Sequence, residues 1–373
     1  MSANPAGWVR PDITAMEAYT PIVPFEVLSQ QLGRPAAEIT KLDANENPYG
    51  PSPAALAAIS GGQWFHIYPD PESTALREAL SRRLGMPPER LLAGMGADEL
   101  IDLVLRVMLQ PGDTVINCPP TFGMYPFSTA VNMGQIIEVP RCSDFSLDVP
   151  AILAAATENP RAKVLFLCSP NNPDGSIISE ADLRQLLELP LLIVLDEAYV
   201  DFAAVDGIAS RLPLTLAYDN LAVLRTFSKL AGLAGLRVGY GAFPEWLMPH
   251  LWKIKQPYNV NVAASLAALA SLEQPEWMEE KLGLLVSERE RMIKALQRFE
   301  FLMPFPSRAN FVLFSVHGRS AAGLKQDLAQ QGVLVRYFNK PGLQNCIRIS
   351  AGRPQDTDRL VAALEKIAGK TSE

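Results

Sequence analysis

The stretch Thr226-Phe227-Ser228-Lys229-Leu230-Ala231-Gly232-Leu233-Ala234-Gly235-Leu236-Arg237-Val238-Gly239-Tyr240 carries the pattern from which the fold is read. It follows the short apolar run Leu221–Thr226, so Lys229 is expected just past the end of a buried strand. A hydroxyl-rich strand end, a single lysine, a loop of small residues and then an arginine suit an anionic, carbonyl-bearing cofactor. A lysine in apolar surroundings loses proton affinity and can form a Schiff base with a carbonyl. Ser228, Thr226 and Arg237 can bind a phosphate. The same residues also read as a surface lysine among turn glycines, and the segment alone leaves both readings open.

Outward from this stretch, helical and strand patterns alternate between about residues 73 and 245. Thr74–Leu84 and Glu99–Leu109 have helical spacing, and Pro111-Gly112-Asp113 stops the second. The runs Thr114–Asn117, Gln135–Val139, Val164–Cys168, Leu191–Leu195, Leu221–Thr226 and Gly239–Ala242 are short and apolar on both parities. That is the pattern of strands buried on both faces of a parallel or mixed sheet. With helical stretches such as Glu180–Leu189 between them, the expectation is an α/β fold: a large domain at 45–275 with a mostly parallel central sheet covered by helices. The charged helix Glu276–Arg298 leads into a smaller α+β domain at 276–373. There Phe311–Phe314, Ala321–Gln331, Val333–Tyr337, Cys346–Ser350 and Asp356–Gly369 read as strand, helix, strand, strand and helix. Residues 1–44, with Pro5, Pro11, Pro21, Pro24 and Pro35, read as an arm packing with the small domain, its clearest helix being Phe25–Leu32.

The chain has 373 residues, 48% of them hydrophobic, which is ample for a large core. A net charge of -7 argues against nucleic-acid or membrane-surface partners and requires local arginines for any anionic substrate. Cys118, Cys142, Cys168 and Cys346 are scattered with no CxxC pair, and His66, His250 and His317 form no HExxH, so neither a metal site nor a disulfide is expected. The N-terminus lacks a charged-then-apolar signal pattern, and the longest apolar candidate, Val260–Leu272, is too short to span a bilayer. A cytoplasmic location is the default expectation.

Other strand ends carry further candidates. Asp196 closes Leu191–Leu195, where open α/β sheets bind ligands, and can keep a pyridinium nitrogen protonated; it can equally be a helix N-cap. Tyr199 follows and can donate to a phenolate oxygen. In Cys168-Ser169-Pro170-Asn171-Asn172-Pro173-Asp174-Gly175 a proline-bracketed turn aims an asparagine amide. Gly94-Met95-Gly96-Ala97-Asp98-Glu99 opens a helix whose free N–H groups suit a phosphate, although Glu99 breaks the dinucleotide fingerprint. Phe122 can stack on a ring or be ordinary core. Arg336 and Arg348, in successive apolar strands, need an anion or buried acids as partners.

Taken in order, these segments resemble the fold-type I pyridoxal-phosphate (PLP) aminotransferases over about residues 10–365. Within them the chain is most similar to the branch acting on L-histidinol phosphate. That likeness rests on Arg10-Pro11-Asp12 leading to Tyr19 and Pro21, on Leu42-Asp43-Ala44-Asn45-Glu46-Asn47-Pro48-Tyr49-Gly50-Pro51-Ser52, and on Tyr68-Pro69-Asp70 followed by Gly96-Ala97-Asp98-Glu99. The resemblance implies a fold-type I PLP-dependent transferase in which Lys229 is the Schiff-base lysine and proton carrier and Asp196 the partner of the ring nitrogen. Tyr199 and Asn172 would lie at the ring oxygen, and Phe122 in the stacking position. Ala97, Asp98, Ser228 and Arg237 would form the phosphate cradle, with Thr226 a weaker candidate. It further implies that Tyr68 reaches the cofactor phosphate of a neighbouring subunit, hence a homodimer with shared sites. Tyr19, Asn45, Arg336 and Arg348 would bind substrate. Asp174 departs from the usual Asn-Pro-Thr-Gly and is expected to point away from the cofactor.

The reaction so implied is transamination between L-histidinol phosphate and 2-oxoglutarate, giving imidazole-acetol phosphate and glutamate. A broad aromatic-amino-acid aminotransferase, a PLP-dependent decarboxylase of phosphorylated amino acids, and a non-catalytic regulator on the same scaffold remain as alternatives.

Overall fold

The computed structural model describes residues 5–18 and 23–369. Tyr19 and Pro21, both named above, lie outside the described residues. Strand β1 (Thr40–Leu42) comes first. The next seven are β2 (Leu91–Gly94), β3 (Thr114–Asn117), β4 (Gln135–Glu138), β5 (Ala162–Cys168), β6 (Leu192–Asp196), β7 (Leu221–Thr226) and β8 (Gly239–Ala242). The last four are β9 (Leu302–Pro304), β10 (Phe311–Val316), β11 (Val333–Tyr337) and β12 (Cys346–Ser350).

The larger sheet has the order β2-β8-β7-β6-β5-β3-β4. Strands β4, β3, β5, β6 and β7 run parallel to one another, and β8 runs antiparallel to both β7 and β2. β8 reverses because the chain between β7 and β8 holds one short 3-10 turn, Ala234–Leu236, and no crossover helix. The central strands alternate between two cores. Leu165, Ile193, Leu195 and Val223 pack on one face, and Val164, Phe166, Val194 and Leu224 on the other. Helix Gly96–Met108 covers the second face with Leu100, Leu103 and Val104.

One expectation needs correcting. β4 was read as buried on both faces, but Gln135 and Glu138 are exposed. It is the outermost strand of the sheet and takes a single neighbour, so its polar ends meet solvent. β1, β2 and β9, each three or four residues long, carry no reading of their own in the sequence. Val260–Leu272 folds as helix Val262–Leu272, capped by Asn261, whose side chain accepts from the Ala264 N–H at 2.8 Å. Among the described residues no helix is long and apolar enough to cross a membrane.

The smaller sheet has the order β1-β11-β12-β10-β9 and is antiparallel except that β1 lies parallel to β11. The segment before the large sheet thus supplies an edge strand to the C-terminal one. Val312, Phe314, Val335, Ile347 and Ile349 form its core with Met292, Leu324 and Leu364 from three helices. The 22-residue helix Pro275–Leu296 leads from one sheet to the other.

Candidate active site

Three parallel strands end side by side. Cys168 is the last residue of β5, Asp196 of β6 and Thr226 of β7, and Cys168 pairs with Asp196 in register. A parallel sheet brings successive carboxyl ends to one edge, where the following loops can meet. The loops carrying Asn172, Tyr199 and Lys229 leave from this edge.

Asp196 is 3% exposed. Its Oδ2 accepts from the Tyr125 hydroxyl at 2.8 Å and its Oδ1 from the Ala198 N–H at 3.0 Å. The second contact is the cap-like bond of the simpler reading; the first is a buried tyrosine aimed at a buried acid. Burial pushes the Asp196 carboxyl up to about 6, against the Tyr125 hydrogen bond. A carboxylate with that penalty and, among the described residues, no basic side chain in hydrogen-bond contact is suited to a cation brought in by a ligand.

Lys229 is pushed down to about 8 by burial first and then by the charge of Arg348. Its Nζ lies 5.4 Å from the centre of the Tyr199 ring. About a fifth of its amine is therefore neutral at about pH 7.4, far more than for an ordinary lysine, and the neutral amine is the form that attacks a carbonyl. Tyr199 is buried, its phenol pushed up by that burial, and its hydroxyl accepts from Asn45 Nδ2 at 3.1 Å.

Asn172 is held by Arg348, whose guanidinium donates to its Oδ1 at 2.6 Å and to the Asp43 carbonyl at 2.7 Å. Arg348 also lies against the Phe311 and Phe338 rings at 5.2 and 5.5 Å. Arg336 pairs with Arg348 across β11 and β12 and lies 5.6 Å from the Phe338 ring. Two guanidinium groups are thus brought together in a partly aromatic wall.

Gly96 opens its helix with φ +77, and a Cβ there would lie 2.8 Å from Arg237 Nη2. A Cβ at Gly239 would lie 2.9 Å from the Ala97 nitrogen. These glycines let Arg237 and the first turn of the helix come together, leaving the Ala97 and Asp98 N–H groups at its start. Arg237 donates to Asp98 Oδ2 at 3.0 Å, and Thr226 Oγ1 donates to Ser228 Oγ at 2.9 Å. Open helix N–H groups, a guanidinium and a hydroxyl make a phosphate cradle. With the buried acid and the lysine, the donor set fits a phosphorylated pyridine aldehyde. Phe122, partly buried, stands edge-on to Tyr125 at 5.5 Å between centroids.

One of the named residues stands apart from this cluster. Tyr68 is 79% exposed and stacks on Tyr258 at 4.7 Å. Asn45, expected to bind substrate, is 1% exposed and spends its amide on Tyr199 and Ser350, which leaves little of it for a ligand. Asp174 turns into its own loop, accepting from Asn171 Nδ2 and from the Ser176 N–H at 2.8 Å. Burial raises its carboxyl above the usual range. Tyr125 was missed in the sequence: a tyrosine on the helix Met124–Val131 has no local mark of facing Asp196 across the sheet edge.

The sequence matches the aminotransferase class I and II family over residues 37–364. It is 52% identical to histidinol-phosphate aminotransferase 1, chloroplastic, of Arabidopsis thaliana, over 96% of this chain and 85% of that one. It is 50% identical to histidinol-phosphate aminotransferase of Roseiflexus castenholzii, over 99% and 100%. The fold is similar to the crystal structure of histidinol-phosphate aminotransferase from Sinorhizobium meliloti in complex with pyridoxal-5'-phosphate. The TM-score is 0.88 at 30% identity, covering 97% of this chain and 98% of that one.

Proposed function

The chain belongs to the aminotransferase class I and II family, and from that premise we infer that it is a PLP-dependent transaminase acting on L-histidinol phosphate. It transfers the amine to 2-oxoglutarate, giving imidazole-acetol phosphate and glutamate, a step of histidine biosynthesis. The observation that carries the substrate assignment is the 50–52% identity to histidinol-phosphate aminotransferases over nearly the full chain.

When bound, pyridoxal 5'-phosphate offers a carbonyl to the amine and a protonated ring that takes up the electron pair left at the α-carbon. In this reading Lys229 Nζ would hold the cofactor, and its amine would be the base that takes the α-proton from the substrate. Its depressed proton affinity supports that role. Asp196 would face the ring nitrogen and keep it charged. Tyr199 and Asn172 would steady the ring oxygen, and Phe122 would lie against the ring. The Ala97 and Asp98 N–H groups, the Ser228 hydroxyl and Arg237 would hold the phosphate. Arg336 and Arg348 take the substrate phosphate in one half-reaction and a carboxylate in the other, which paired guanidinium groups can do with one geometry. Tyr19 is assigned near them on the resemblance alone.

The assembly in this proposal is a homodimer with shared sites. Trp64, Phe65, Ile67 and Tyr68 are exposed together in one connector, an apolar patch that suits a second copy. Through it the partner subunit's Tyr68 would reach the cofactor phosphate. Mixing Lys229→Ala and Tyr68→Ala proteins under conditions that exchange subunits should restore activity absent from either alone. Mixtures as inactive as their parents would remove the shared site. The proposed division is an arm at 1–44, a PLP-binding part at 45–275 and a small part at 276–373. A cytoplasmic or equivalent reducing compartment suits the free thiols of Cys118, Cys142, Cys168 and Cys346.

The direct test compares kcat/KM for histidinol phosphate and phenylalanine. Preference for phenylalanine would reassign the enzyme to aromatic amino acids. Carbon dioxide release independent of 2-oxoglutarate would make it a decarboxylase.

A further inference from the structure

β12 presents Arg348 and Ser350 on one face, two residues apart, and each controls a different group proposed for the cofactor's ring oxygen. Arg348 holds Asn172 directly. Ser350 works through Asn45. Its Oγ accepts from the Asn45 N–H at 2.9 Å and donates to Asn45 Oδ1 at 3.0 Å. Asn45 Nδ2 then donates to the Tyr199 hydroxyl at 3.1 Å. Asn310 Nδ2 fixes the Asn45 carbonyl at 3.0 Å. Asn45 itself sits at φ +55, a left-handed conformation that asparagine tolerates better than most residues.

This chain has a direction. If the amide were turned over, Nδ2 would face Ser350, whose buried hydroxyl proton would need another acceptor. Among the described contacts of that hydroxyl there is none but Asn45. With Oδ1 committed to Ser350, Nδ2 is the atom that meets Tyr199. The phenol oxygen then accepts from Asn45, and its own proton points elsewhere.

We propose that Asn45, oriented by Ser350, is a positioning residue that commits Tyr199 to act as a hydrogen-bond donor toward the ring oxygen of the cofactor. This rests on the placement of Tyr199 given under Proposed function and replaces substrate binding as the role of Asn45. It also ties that donor to the same strand as the substrate-anion arginine.

The readout is the pH midpoint at which the visible band of the lysine-bound cofactor changes, measured without substrate. A phenol donating to the ring oxygen drains charge from it, so withdrawing the donor leaves that oxygen more basic and moves the midpoint up. The other charged or titratable groups around Tyr199 and Lys229 are Arg348, Asp196, Cys168, Glu46, Asp98 and Arg237, and all stay in place in the variants.

Asn45→Asp keeps the shape but offers Tyr199 an acceptor, turning its proton away. The midpoint should rise by about one pH unit, as it should in Tyr199→Phe. Asn45→Ala should give a smaller rise, Ser350→Ala a smaller rise with Asn45 still present, and Ser350→Thr, which keeps the hydroxyl, none. In a Tyr199→Phe background Asn45→Asp should add nothing. If Tyr199→Phe moves the midpoint and neither Asn45 variant does, the proposal fails. It fails equally if the Asn45→Asp shift persists in the Tyr199→Phe background, because that is ordinary charge repulsion. If Tyr199→Phe itself moves nothing, the placement of Tyr199 is wrong and the proposal falls with it. The Ser350 variants keep the test decisive if Asn45 variants fold poorly.

Discussion

Replacing Tyr125 by phenylalanine deletes one oxygen from the edge of the site. Stacking on Phe166 at 4.8 Å and the edge contact with Phe122 at 5.5 Å are kept. The loss is the hydroxyl that donates to Asp196 at 2.8 Å, leaving the carboxylate with the Ala198 N–H. A hydrogen bond to a charged group contributes roughly 1.5–3 kcal/mol, or about 1 to 2 pH units. The Asp196 carboxyl, already raised by burial to about 6, should therefore titrate well above neutrality's acid side in the cofactor-free variant. For a rise of ~1.5 units, the ionised fraction at about pH 6.5 falls from ~0.76 to ~0.09, and at about pH 8.5 it stays above ~0.9 in both proteins. Only the ionised carboxylate matches a protonated ring nitrogen. PLP affinity relative to the unsubstituted protein should thus fall about eightfold at the lower pH and less than about twofold at the higher. Quenching of tryptophan fluorescence during PLP titration measures both, and the ratio cancels ionisations of the cofactor and Lys229. Equal losses at the two pH values would refute the reasoning. The same acid links folding to pH. Its folded-state pKa lies above its unfolded value, so the cofactor-free protein should be steadiest below about pH 4 on this account and lose that contribution as pH rises through about 6.

Lys229→Ala should retain PLP without the visible band of the lysine-bound form and lose more than about 10⁴-fold in turnover, because the proposed anchor and proton carrier are removed together; near-normal single-turnover rates would overturn its assignment. Arg348→Lys should raise KM for histidinol phosphate by about 100-fold, since a lysine cannot reproduce the fork that spans Asn172 and the Asp43 carbonyl; an unchanged KM would move the anion site elsewhere. Gly232→Ala should cost more than about 2 kcal/mol in thermal or urea unfolding. Gly232 has φ +71, and a Cβ there would land on the Gly50 carbonyl, backbone against backbone, so neither side can swing away. A neutral result would mean that the Lys229 loop and the 45–52 segment are less tightly apposed.

The parts of the site written in local sequence are those whose chemistry is continuous along the chain. Lys229 with Arg237, Asp196 with Tyr199, and the Gly96–Glu99 helix start each combine a strand end with a chemical group, and each was legible for that reason. β4 shows where the pattern misleads: Ile136 and Ile137 look like core, but strand order alone decides that Gln135 and Glu138 sit at an edge. Asn45 was read as a substrate contact because it lies in a segment shared with a family. Its partners, Tyr199 and Ser350, are more than a hundred residues away, and no spacing rule reaches that far.

The sequence by itself determined the alternation of helix and strand, because apolar periodicity is a local property, and its ordered motifs carried the resemblance to the aminotransferases and the candidate groups for PLP. The tertiary structure alone decided what those groups do to one another. Burial sets the proton affinities of Asp196 and Lys229, and the meeting of two sheets brings Ser350 and Asn45 to Tyr199 and Arg348 to Asn172. Desolvation and hydrogen-bond direction depend on every neighbour in space, and those neighbours are assembled only when the chain folds.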